Sequence, residues 1–371
     1  MDVLQTPSGT LELTRRPNEQ QLRAFDAADS LLLAYLADVD LSGTVVVLGD
    51  RWGALSTALA ASSPISVSDS SVAQSSTRDN LARNGLAVEL RAVTDALPER
   101  VDVLVFRVPR TVSLLEHTLH LLAPRLHAGS VVVGAGMVKE VHTSALRTCE
   151  QVLGRTRTSL ATRKARLIHV EPDPDLVRPP NPWPRELLLP ADAPAGLAGV
   201  TVVQQAGVFS AEHLDVGTRF LLEHLPRSEG RVVDLGCGNG VLGVAAGLAS
   251  KDAQVVLTDE SYLAVASASA TWRAVHGGRP VEAVVGEGMD AVDGPVDLVL
   301  CNPPFHTGHG TSDATAWAMF TGARRALAPG GELWVVGNRH LGHHARLKRL
   351  FGGVSVVASN PKFVVLRAVA R

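Results

Sequence analysis

The chain has 371 residues, 46% of them hydrophobic and 19% charged, and its formal net charge at pH 7 is −2. This length favours two domains, and the composition is that of a globular protein without a stretch apolar enough to span a membrane. The near-neutral charge excludes a global electrostatic attraction to nucleic acid, and residues 1–6 lack the pattern of a signal peptide. We therefore expect a cytoplasmic protein that does not associate with membranes.

Three cysteines are widely spaced along the chain, at Cys149, Cys237 and Cys301. This spacing matches neither a disulfide framework nor a zinc site, so we expect a reducing compartment and no metal. The sequence places no base beside Cys237 or Cys301, which favours packing over nucleophilic chemistry.

The first half of the chain alternates helices with strands. Residues 12–40 are predicted to be helical because of the apolar face around residues 31–36. Strands that alternate with helices predict a parallel sheet. The predicted strands are residues 44–50, 65–69, 101–106 and 130–134, and the helices between them pass through Asn80 and cover residues 114–122.

The same order of segments returns in the second half, which predicts a duplication. We expect two tandem Rossmann-like α/β domains, residues 1–171 and 199–371, joined by the proline-rich and extended linker 172–198. The matching segments are residues 46–49 with 232–236, 67–69 with 257–259, 101–104 with 296–299, and 126–129 with 327–331.

The two copies differ where chemistry is expected. Residues 50–53 of the first copy, Asp-Arg-Trp-Gly, stand where the second copy has the glycine-rich residues 236–240. Residues 107–110, Arg-Val-Pro-Arg, stand where the second copy has Asn-Pro-Pro-Phe. We interpret the first domain as a degenerate copy that has lost both loops and that binds substrate or supports the second domain.

The sequence Asn302-Pro303-Pro304-Phe305, called the hook below, follows the predicted buried strand 296–301. Ligands of open α/β sheets bind at such strand ends. The Asn302 amide and the Pro303 carbonyl offer hydrogen-bond acceptors, and Phe305 offers a face for stacking. The hook therefore suits an exocyclic amine on a flat ring, although two prolines can also do no more than end a strand.

Residues 231–235 form a predicted strand that runs into Gly236-Cys237-Gly238-Asn239-Gly240, called the glycine loop below, and then into a helix. Alternate glycines allow a ligand to approach a helix N-terminus closely. Asp234 before the loop favours a cationic ligand over a pyrophosphate. These features predict S-adenosylmethionine, with Asp259 at the end of the next strand holding the ribose or, alternatively, capping a helix.

The order of glycine loop, acid and Asn-Pro-Pro-Phe resembles the class I methyltransferases that methylate exocyclic amines. Residues 207–210 and 214–218 resemble the segment before the catalytic domain of bacterial two-domain ribosomal RNA guanine-N2 methyltransferases. Residues 338–341 and 362–366 look more like the large-subunit (23S) enzyme than the small-subunit (16S) one. The resemblance implies two class I methyltransferase domains, each with a mostly parallel seven-stranded sheet.

The resemblance also implies roles for individual residues. Asn302 and Pro303, with Pro304, would hold the guanine N2 amine of a flipped base, and Phe305 would stack on that base. The partner would be ribosomal RNA or a ribosomal subunit, and the protein a monomer. The residues implied for S-adenosylmethionine are Phe209, Asp215, Gly217, Thr218, Asp234, Gly236, Cys237, Gly238, Asn239, Gly240, Asp259, Glu260, Gly286, Glu287 and Asn302.

Basic residues cluster in two places, and either cluster is an RNA contact or an ordinary solvated surface. His306 and His309 are interpreted as loop histidines near RNA, and His340, His343 and His344 as a phosphate-facing surface. The predicted RNA-binding residues are Arg155, Arg157, Arg163, Lys164, Arg339, His340, Arg346, Lys348 and Lys362.

Other functions remain open at this point. A DNA amino-methyltransferase or a protein glutamine methyltransferase would share the chemistry, although the latter usually carries Tyr where this chain has Phe305. A non-catalytic RNA-binding assembly factor fits the first domain alone. A nicotinamide dehydrogenase is disfavoured by Asp234 and by the hook.

Overall fold

The computed structural model describes residues 1–6, 9–17, 22–304 and 311–371, with the side chains of residues 311–313 excepted. The chain forms two compact units, Met1–Trp183 and Pro184–Arg371. No helix among the described residues is long and apolar enough to cross a membrane.

The first unit contains a two-stranded hairpin and a seven-stranded sheet. The hairpin consists of β1 (Asp2–Thr6) and β2 (Gly9–Leu13). The sheet strands are β3 (Val45–Leu48), β4 (Ile65–Ser68), β5 (Glu89–Ala92), β6 (Val103–Arg107), β7 (Val131–Met137), β8 (Gly154–Thr158) and β9 (Ala165–Pro172), and the helices are α1 (Ala27–Leu36), α2 (Ala54–Ala58), α3 (Ser71–Arg83), α4 (Val112–Leu122) and α5 (Thr143–Val152).

The second unit has the same kinds of element in the same order. Its hairpin consists of β10 (Arg185–Leu188) and β11 (Thr201–Gln204). The sheet strands are β12 (Arg231–Leu235), β13 (Gln254–Asp259), β14 (Glu282–Val285), β15 (Val296–Cys301), β16 (Leu327–Asn338), β17 (Ser355–Ser359) and β18 (Phe363–Val369), and the helices are α6 (Val216–Leu222), α7 (Val241–Ala249), α8 (Tyr262–His276), α9 (Thr311–Ala326) and α10 (His343–Phe351).

The two sheets share one topology. The strand order is β5-β4-β3-β6-β7-β9-β8 in the first unit and β14-β13-β12-β15-β16-β18-β17 in the second. In each sheet the first five strands are parallel and the last two join antiparallel. The predicted α/β fold with two mostly parallel, seven-stranded sheets is therefore confirmed.

Both faces of the second sheet are buried, which explains its continuous apolar runs. Val232, Leu298 and Leu300 pack on one face, and Val233 and Val299 pack on the other. The carboxyl ends of β12, β13 and β15 meet at one edge, so the glycine loop, Asp259 and the hook are brought together there.

The helix predicted for residues 12–40 is wrong for its first half. Helix α1 begins only at Ala27, after the N-cap Asp26, and residues up to Leu13 belong to the β1–β2 hairpin. The hairpin alternates exposed and inward-facing residues with period two, and Leu4 and Leu13 are its buried side chains. The apolar face around residues 31–36 is real but belongs to a shorter helix.

The predicted linker 172–198 is only partly a linker. Residues 184–198 belong to the second unit, where β10 pairs with β11 in antiparallel register. Leu189, Ala193 and Leu197 are buried in the core of that unit. Buried apolar side chains at every fourth position therefore fix this proline-rich segment against the core.

Candidate active site

Asn302 lies directly after β15, on the face of the sheet covered by α6. Its Nδ2 group donates hydrogen bonds to Asp215 Oδ2 at 3.2 Å and to Thr218 Oγ1 at 2.8 Å. An ionised carboxylate only accepts hydrogen bonds, so Asp215 fixes which way the amide of Asn302 is turned. Asp215 also caps α6, because the same oxygen accepts from Thr218 N–H at 2.8 Å.

This arrangement leaves one acceptor of the hook unused. Asn302 Oδ1 is buried and has no hydrogen-bond partner among the described residues. Buried polar atoms without a partner are rare, and they often mark the place of a ligand. The adjacent Pro303 is buried and Pro304 is exposed. Phe305, His306 and His309 lie outside the described residues.

The glycine loop turns back sharply at the end of β12. Gly236, Gly238 and Gly240 have φ values of 72°, 52° and 82°, which side chains other than glycine rarely adopt. A Cβ on Gly240 would lie 2.8 Å from the Cα of Ala268, so α8 packs tightly against the loop. The loop thereby delivers the chain into α7 with its backbone open to a ligand.

Asp234 lies underneath the glycine loop and is almost fully buried. Its Oδ2 accepts a hydrogen bond from Gly243 N–H in the first turn of α7 at 2.8 Å. Burial, assisted by the neighbouring Asp259 carboxylate and opposed by this hydrogen bond, raises the pKa of Asp234 to about 8. A cation bound above the loop would favour the ionised form of Asp234.

Asp259 ends β13 and ties that strand to the glycine loop. Its Oδ2 accepts from Gly238 N–H and its Oδ1 from Ser261 N–H, each at 3.0 Å. Helix α8 is capped by Ser261, whose hydroxyl accepts from Ala264 N–H, so Asp259 is not the N-cap that the sequence left open. Burial raises the pKa of the Asp259 carboxyl despite both hydrogen bonds.

Gln204 at the end of β11 is a site residue that the sequence analysis missed. Its side chain is fully buried, and its Oε1 accepts from Asn239 Nδ2 at 3.1 Å. Its Nε2 donates to the carbonyls of Val208 at 3.1 Å and Phe209 at 3.3 Å. Gln204 therefore joins the glycine loop to the segment that presents the exposed Phe209 ring. A polar residue ending an otherwise apolar strand was the available signal.

The segment after β14 lies beside Asp259. Gly286 N–H donates to the Asp259 carbonyl at 2.9 Å, and a Cβ on Gly286 would lie 2.5 Å from that of Ala291. Glu260 is exposed and Glu287 half-buried. The cofactor contacts implied for Gly286 and Glu287 stay a prediction.

The cysteines are buried, which supports the packing interpretation. Burial raises the pKa of the Cys237 and Cys301 thiols far above the ordinary value, and that of Cys149 to about 12. A thiol that stays protonated is a poor nucleophile. Among the described residues no group of histidine, cysteine or carboxylate side chains could hold a metal ion.

The first unit places an arginine where the second unit has Asn302. Leu48 pairs with Phe106 as Leu235 pairs with Cys301, so Arg107 occupies the position equivalent to Asn302. The guanidinium of Arg107 is buried and binds Asp26 at 2.8 Å and also Asp29. Asp26 caps α1 as Asp215 caps α6, and Asp29 occupies the position of Thr218.

The charges of this buried group are coupled. Burial raises the pKa of Asp29 to about 6, although Arg107 opposes the shift. Burial acts in the same direction on Asp26, but Arg107 prevails and lowers its pKa. The two carboxyls raise the pKa of Arg107 still further. Where the second unit has a hydrogen-bonded asparagine, the first unit therefore has an ion-pair cluster.

The glycine loop of the first unit is changed in residues more than in backbone. Gly49 and Gly53 have φ values of 72° and 84°, close to those of Gly236 and Gly240. Asp50 is buried and accepts from Ser56 N–H at 2.8 Å, the helix amide equivalent to that of Gly243. The prediction that this loop was lost is thus wrong for its conformation, because two glycines and a relocated acid keep the turn.

The predicted RNA-binding residues are mostly exposed. In the first unit Arg155 and Arg157 project from β8, and Arg163 and Lys164 form the turn before β9 with φ values of 48° and 64°. In the second unit the residues in question are Arg339, His340, Arg346, Lys348 and Lys362, all exposed except the half-buried Arg346.

The interpretation of His343 as a phosphate-facing residue is wrong. Its side chain is buried and packs edge-on against Phe320, with ring centroids 5.3 Å apart. It also fills the space left by Gly337, where a Cβ would lie 2.5 Å from the imidazole. His340 and His344 remain exposed, so the helical spacing of the histidines placed one of them on the inner face.

The fold and this site define a class I methyltransferase. Residues 199–367 match the family model described as methyltransferase small domain, and residues 1–174 match the model described as RLMG N-terminal domain. The chain belongs to the family of ribosomal RNA large subunit methyltransferase G. It is 57% identical to the Streptomyces avermitilis protein of that name and 44% identical to the Stutzerimonas stutzeri protein, each over the full length of both chains.

A solved structure supports the fold of the whole chain. The T. thermophilus 16S rRNA N2 methyltransferase, in complex with AdoMet and guanosine, aligns with a TM-score of 0.79. The alignment covers 100% of this chain and 98% of that chain, at 23% identity. The predicted resemblance to the large-subunit enzyme is confirmed by the family.

Proposed function

We propose that the protein uses S-adenosylmethionine to methylate the exocyclic N2 amine of one guanine in 23S ribosomal RNA, in the cytoplasm. The observation that carries the proposal is the buried Oδ1 of Asn302, which has no partner among the described residues and is held in place by Asp215 and Thr218 at the carboxyl edge of the second sheet. Relatives that share the full length of the chain are named as large-subunit ribosomal RNA methyltransferases.

The residues around the glycine loop fit this cofactor. S-adenosylmethionine, when bound, supplies a methyl group carried by a cationic sulfur. Asp234 lies under the loop and Asp259 accepts from the Gly238 amide, and a cationic ligand would favour the ionised form of both, which a pyrophosphate would not. We assign Asp259 to the ribose hydroxyls, and Asp215, Gly217 and Thr218 to the side of the pocket beside α6, with Phe209 above it.

The hook would act by positioning and electrostatics. Asn302 Oδ1 and the Pro303 carbonyl accept hydrogen bonds from the guanine amine, whose lone pair is otherwise delocalised into the ring. Two acceptors on one side favour a pyramidal nitrogen with its lone pair directed away from them, and they stabilise the positive charge that develops on the nitrogen. No strong base is needed, because the amine proton becomes acidic only as the new bond forms. The base must leave its stack to reach such a pocket.

We further propose that the first unit is a duplicated methyltransferase domain that no longer methylates. The identical strand order of the two sheets and the similar left-handed backbone of Gly49 and Gly53 support a common origin. The buried Arg107 fills the position of the hook, so this unit serves RNA binding or support. Exposed Arg155, Arg157, Arg163 and Lys164 are its proposed phosphate contacts.

The deciding experiment is methylation of unmodified 23S and 16S RNA, as naked RNA and as ribosomal subunits, followed by mapping of N2-methylguanosine. We expect one modified guanine in 23S RNA. Modification of 16S RNA alone, or of DNA or a glutamine side chain, would overturn the proposed substrate. Calorimetric titration with S-adenosylmethionine and with NAD separately checks the cofactor, and we expect heat of binding with the first only.

A further inference from the structure

Asn338 ends β16, the strand next to β15 on the side away from the glycine loop. Cys301 pairs with Val335, so Asn338 lies beyond the level of Asn302 at the same carboxyl edge. Leu300 and Trp334, each an even number of residues from these two asparagines, pack in one core cluster. Because strand side chains alternate between faces, Asn302 and Asn338 are on the same face of the sheet.

Asn338 shares a second property with Asn302. Its Oδ1 is buried and has no hydrogen-bond partner among the described residues. The aromatic ring of Phe363, which pairs with Asn338 across β18, is buried and offers no hydrogen bond. Two buried acceptors on one face of one sheet edge therefore have no partner in the part of the chain that the structure describes, and such atoms often mark the place of a ligand.

The strand order indicates whether Asn338 faces the cofactor or the methyl acceptor. The glycine loop follows β12 and Asp259 ends β13, so the proposed cofactor residues lie on one side of β15. Asn338 lies on the other side, one strand beyond the hook. A group that reaches from Asn302 toward Asn338 extends away from the proposed cofactor residues, and we assign that part of the edge to the methyl acceptor.

The first unit provides an internal comparison. Arg107 pairs with Ala135 there, so Met137 occupies the position equivalent to Asn338. The unit that lacks the hook thus has a thioether at this position, and the unit with the hook has a carboxamide. The carboxamide is therefore present beside the hook and absent from the equivalent position of the unit without it, as a contact with the methyl acceptor would require.

We propose that Asn338 reads the edge of the target guanine beyond its N2 amine. Asn338 Oδ1 accepts a hydrogen bond from guanine N1–H, and Nδ2 donates one to O6. Guanine presents the N2 amine, N1–H and O6 side by side on its Watson–Crick edge, and flipped bases are recognised by such contacts. The hook selects an amine, and Asn338 selects the base that carries it. This inference rests on the proposed guanine-N2 methylation.

The test compares two nucleosides that differ only along this edge. Guanosine carries N1–H and O6, whereas 2-aminopurine riboside keeps the N2 amine but has an acceptor at N1 and no oxygen at position 6. Each is titrated into protein saturated with S-adenosylhomocysteine. We expect the wild type to bind guanosine at least about tenfold more tightly, as for a paired base contact.

Substitution of Asn338 should remove that preference. Asn338→Leu should bind both nucleosides equally and lose about 10- to 100-fold in kcat/KM on 23S RNA. Asn338→Asp keeps the acceptor for N1–H and should retain the preference for guanosine. Cofactor affinity should be unchanged in both variants, and Asn338→Leu should melt no lower than the wild type, because it removes an unpartnered polar atom.

The matched control is Gln254→Leu, the same change from carboxamide to apolar side chain at the opposite end of the sheet, where Gln254 is exposed. It should alter neither nucleoside preference nor turnover. Retention of the guanosine preference in Asn338→Leu, or a parallel loss of cofactor affinity, would overturn the inference while leaving the proposed function intact. Absence of N2-methylguanosine in wild-type reactions would overturn both.

Discussion

The carboxyl edges of the two sheets have the same backbone architecture but different chemistry: one holds a neutral asparagine and the other a charged arginine at the same position. At one edge Asn302 binds Asp215 and Thr218, and its Oδ1 has no partner in the ranges that the structure describes. At the other edge Arg107 binds the two equivalent helix positions as a buried ion-pair cluster. The same backbone therefore accommodates either a hydrogen-bonded site open to a ligand or an internal ion-pair cluster. The side chains at three equivalent positions, one on the strand end and two on the helix, decide which of the two forms.

The largest effect is expected where the charges are buried. Arg107→Ala leaves the buried Asp29 without its cation and leaves Asp26 with only Arg51, 3.7 Å away, so it should lower the free energy of unfolding by about 3–5 kcal/mol. Chemical denaturation of the full chain measures this loss. Turnover per folded molecule should be unchanged, because the hook lies in the other unit.

Arg107→Met combined with Asp29→Leu is the control for this prediction. It replaces the most deeply buried pair with apolar side chains and should recover part of the lost stability. If Arg107→Ala instead abolished methylation without loss of stability, the first unit would hold a functional site of its own.

Asn302→Ala should have the next largest effect. Loss of the acceptor at the developing charge is expected to lower kcat about 100- to 1000-fold, the range found for single electrostatic contacts in active sites. Cofactor affinity should stay near that of the wild type. Transfer of a radiolabelled methyl group to 23S RNA in a single turnover measures the rate, and calorimetry measures the affinity.

Asn302→Asp separates geometry from charge, since it keeps an acceptor but sets a carboxylate against Asp215. We expect a defect nearly as large as that of the alanine variant. Methylation at a near-normal rate by Asn302→Ala would remove the hook from the mechanism.

Gly53→Ala and Gly240→Ala form a matched pair. Each glycine has a left-handed backbone, and the new Cβ would lie 2.5 Å from the Cα of Thr77 or 2.8 Å from that of Ala268. Each substitution should cost about 1–3 kcal/mol of stability. Only Gly240→Ala should also weaken S-adenosylmethionine binding. Equal loss of affinity in both variants would show that the first loop still binds the cofactor.

The smallest predicted effect is a pH dependence of cofactor affinity. Asp234 is protonated below its raised pKa of about 8, and a bound cation favours the ionised form. Binding should therefore release a proton and tighten as pH rises toward 8, by up to about tenfold per pH unit. Titrations in buffers of different ionisation enthalpy detect that proton.

Asp234→Asn should abolish the pH dependence of cofactor affinity.

The folding stability of the cofactor-free protein should also depend on pH, but it should fall as pH rises, whereas cofactor affinity increases. A pKa raised from 3.8 to about 8 favours folding below the lower value and loses that contribution as pH rises through the higher one. Above pH 8 the Asp234→Asn variant should therefore melt at a higher temperature than the wild type. A proton released equally by both proteins would assign the titration to another group.

Much of the fold was predictable because it rests on local patterns. The apolar strands, the glycine loop and the hook are contiguous in sequence, and parallel strands place their ends together. The β1–β2 and β10–β11 hairpins were missed because their strands are short and half-exposed. In such strands hydrophobic period gives a weak signal.

The unpredicted parts of the site depend on contacts between distant residues. Arg107 and Asp26 are 81 residues apart, and only the folded helix cap shows that they replace Asn302 and Asp215. Gln204 looks like a strand end until its amide is seen to reach both the glycine loop and Phe209. The interpretation of His343 as phosphate-facing was wrong for a related reason, because the spacing of the histidines does not show which of them faces the core.

The buried arginine of the first unit also constrains how that unit can evolve. A single change of Arg107 to asparagine would leave Asp29 buried without its cation, and a single change of either acid would leave the arginine undercompensated. Each first step toward a working hook therefore lowers stability before any activity can be gained. The ion-pair cluster therefore makes the return of a hook to the first unit unfavourable by single substitutions, although its sheet has the same strand order as that of the second unit.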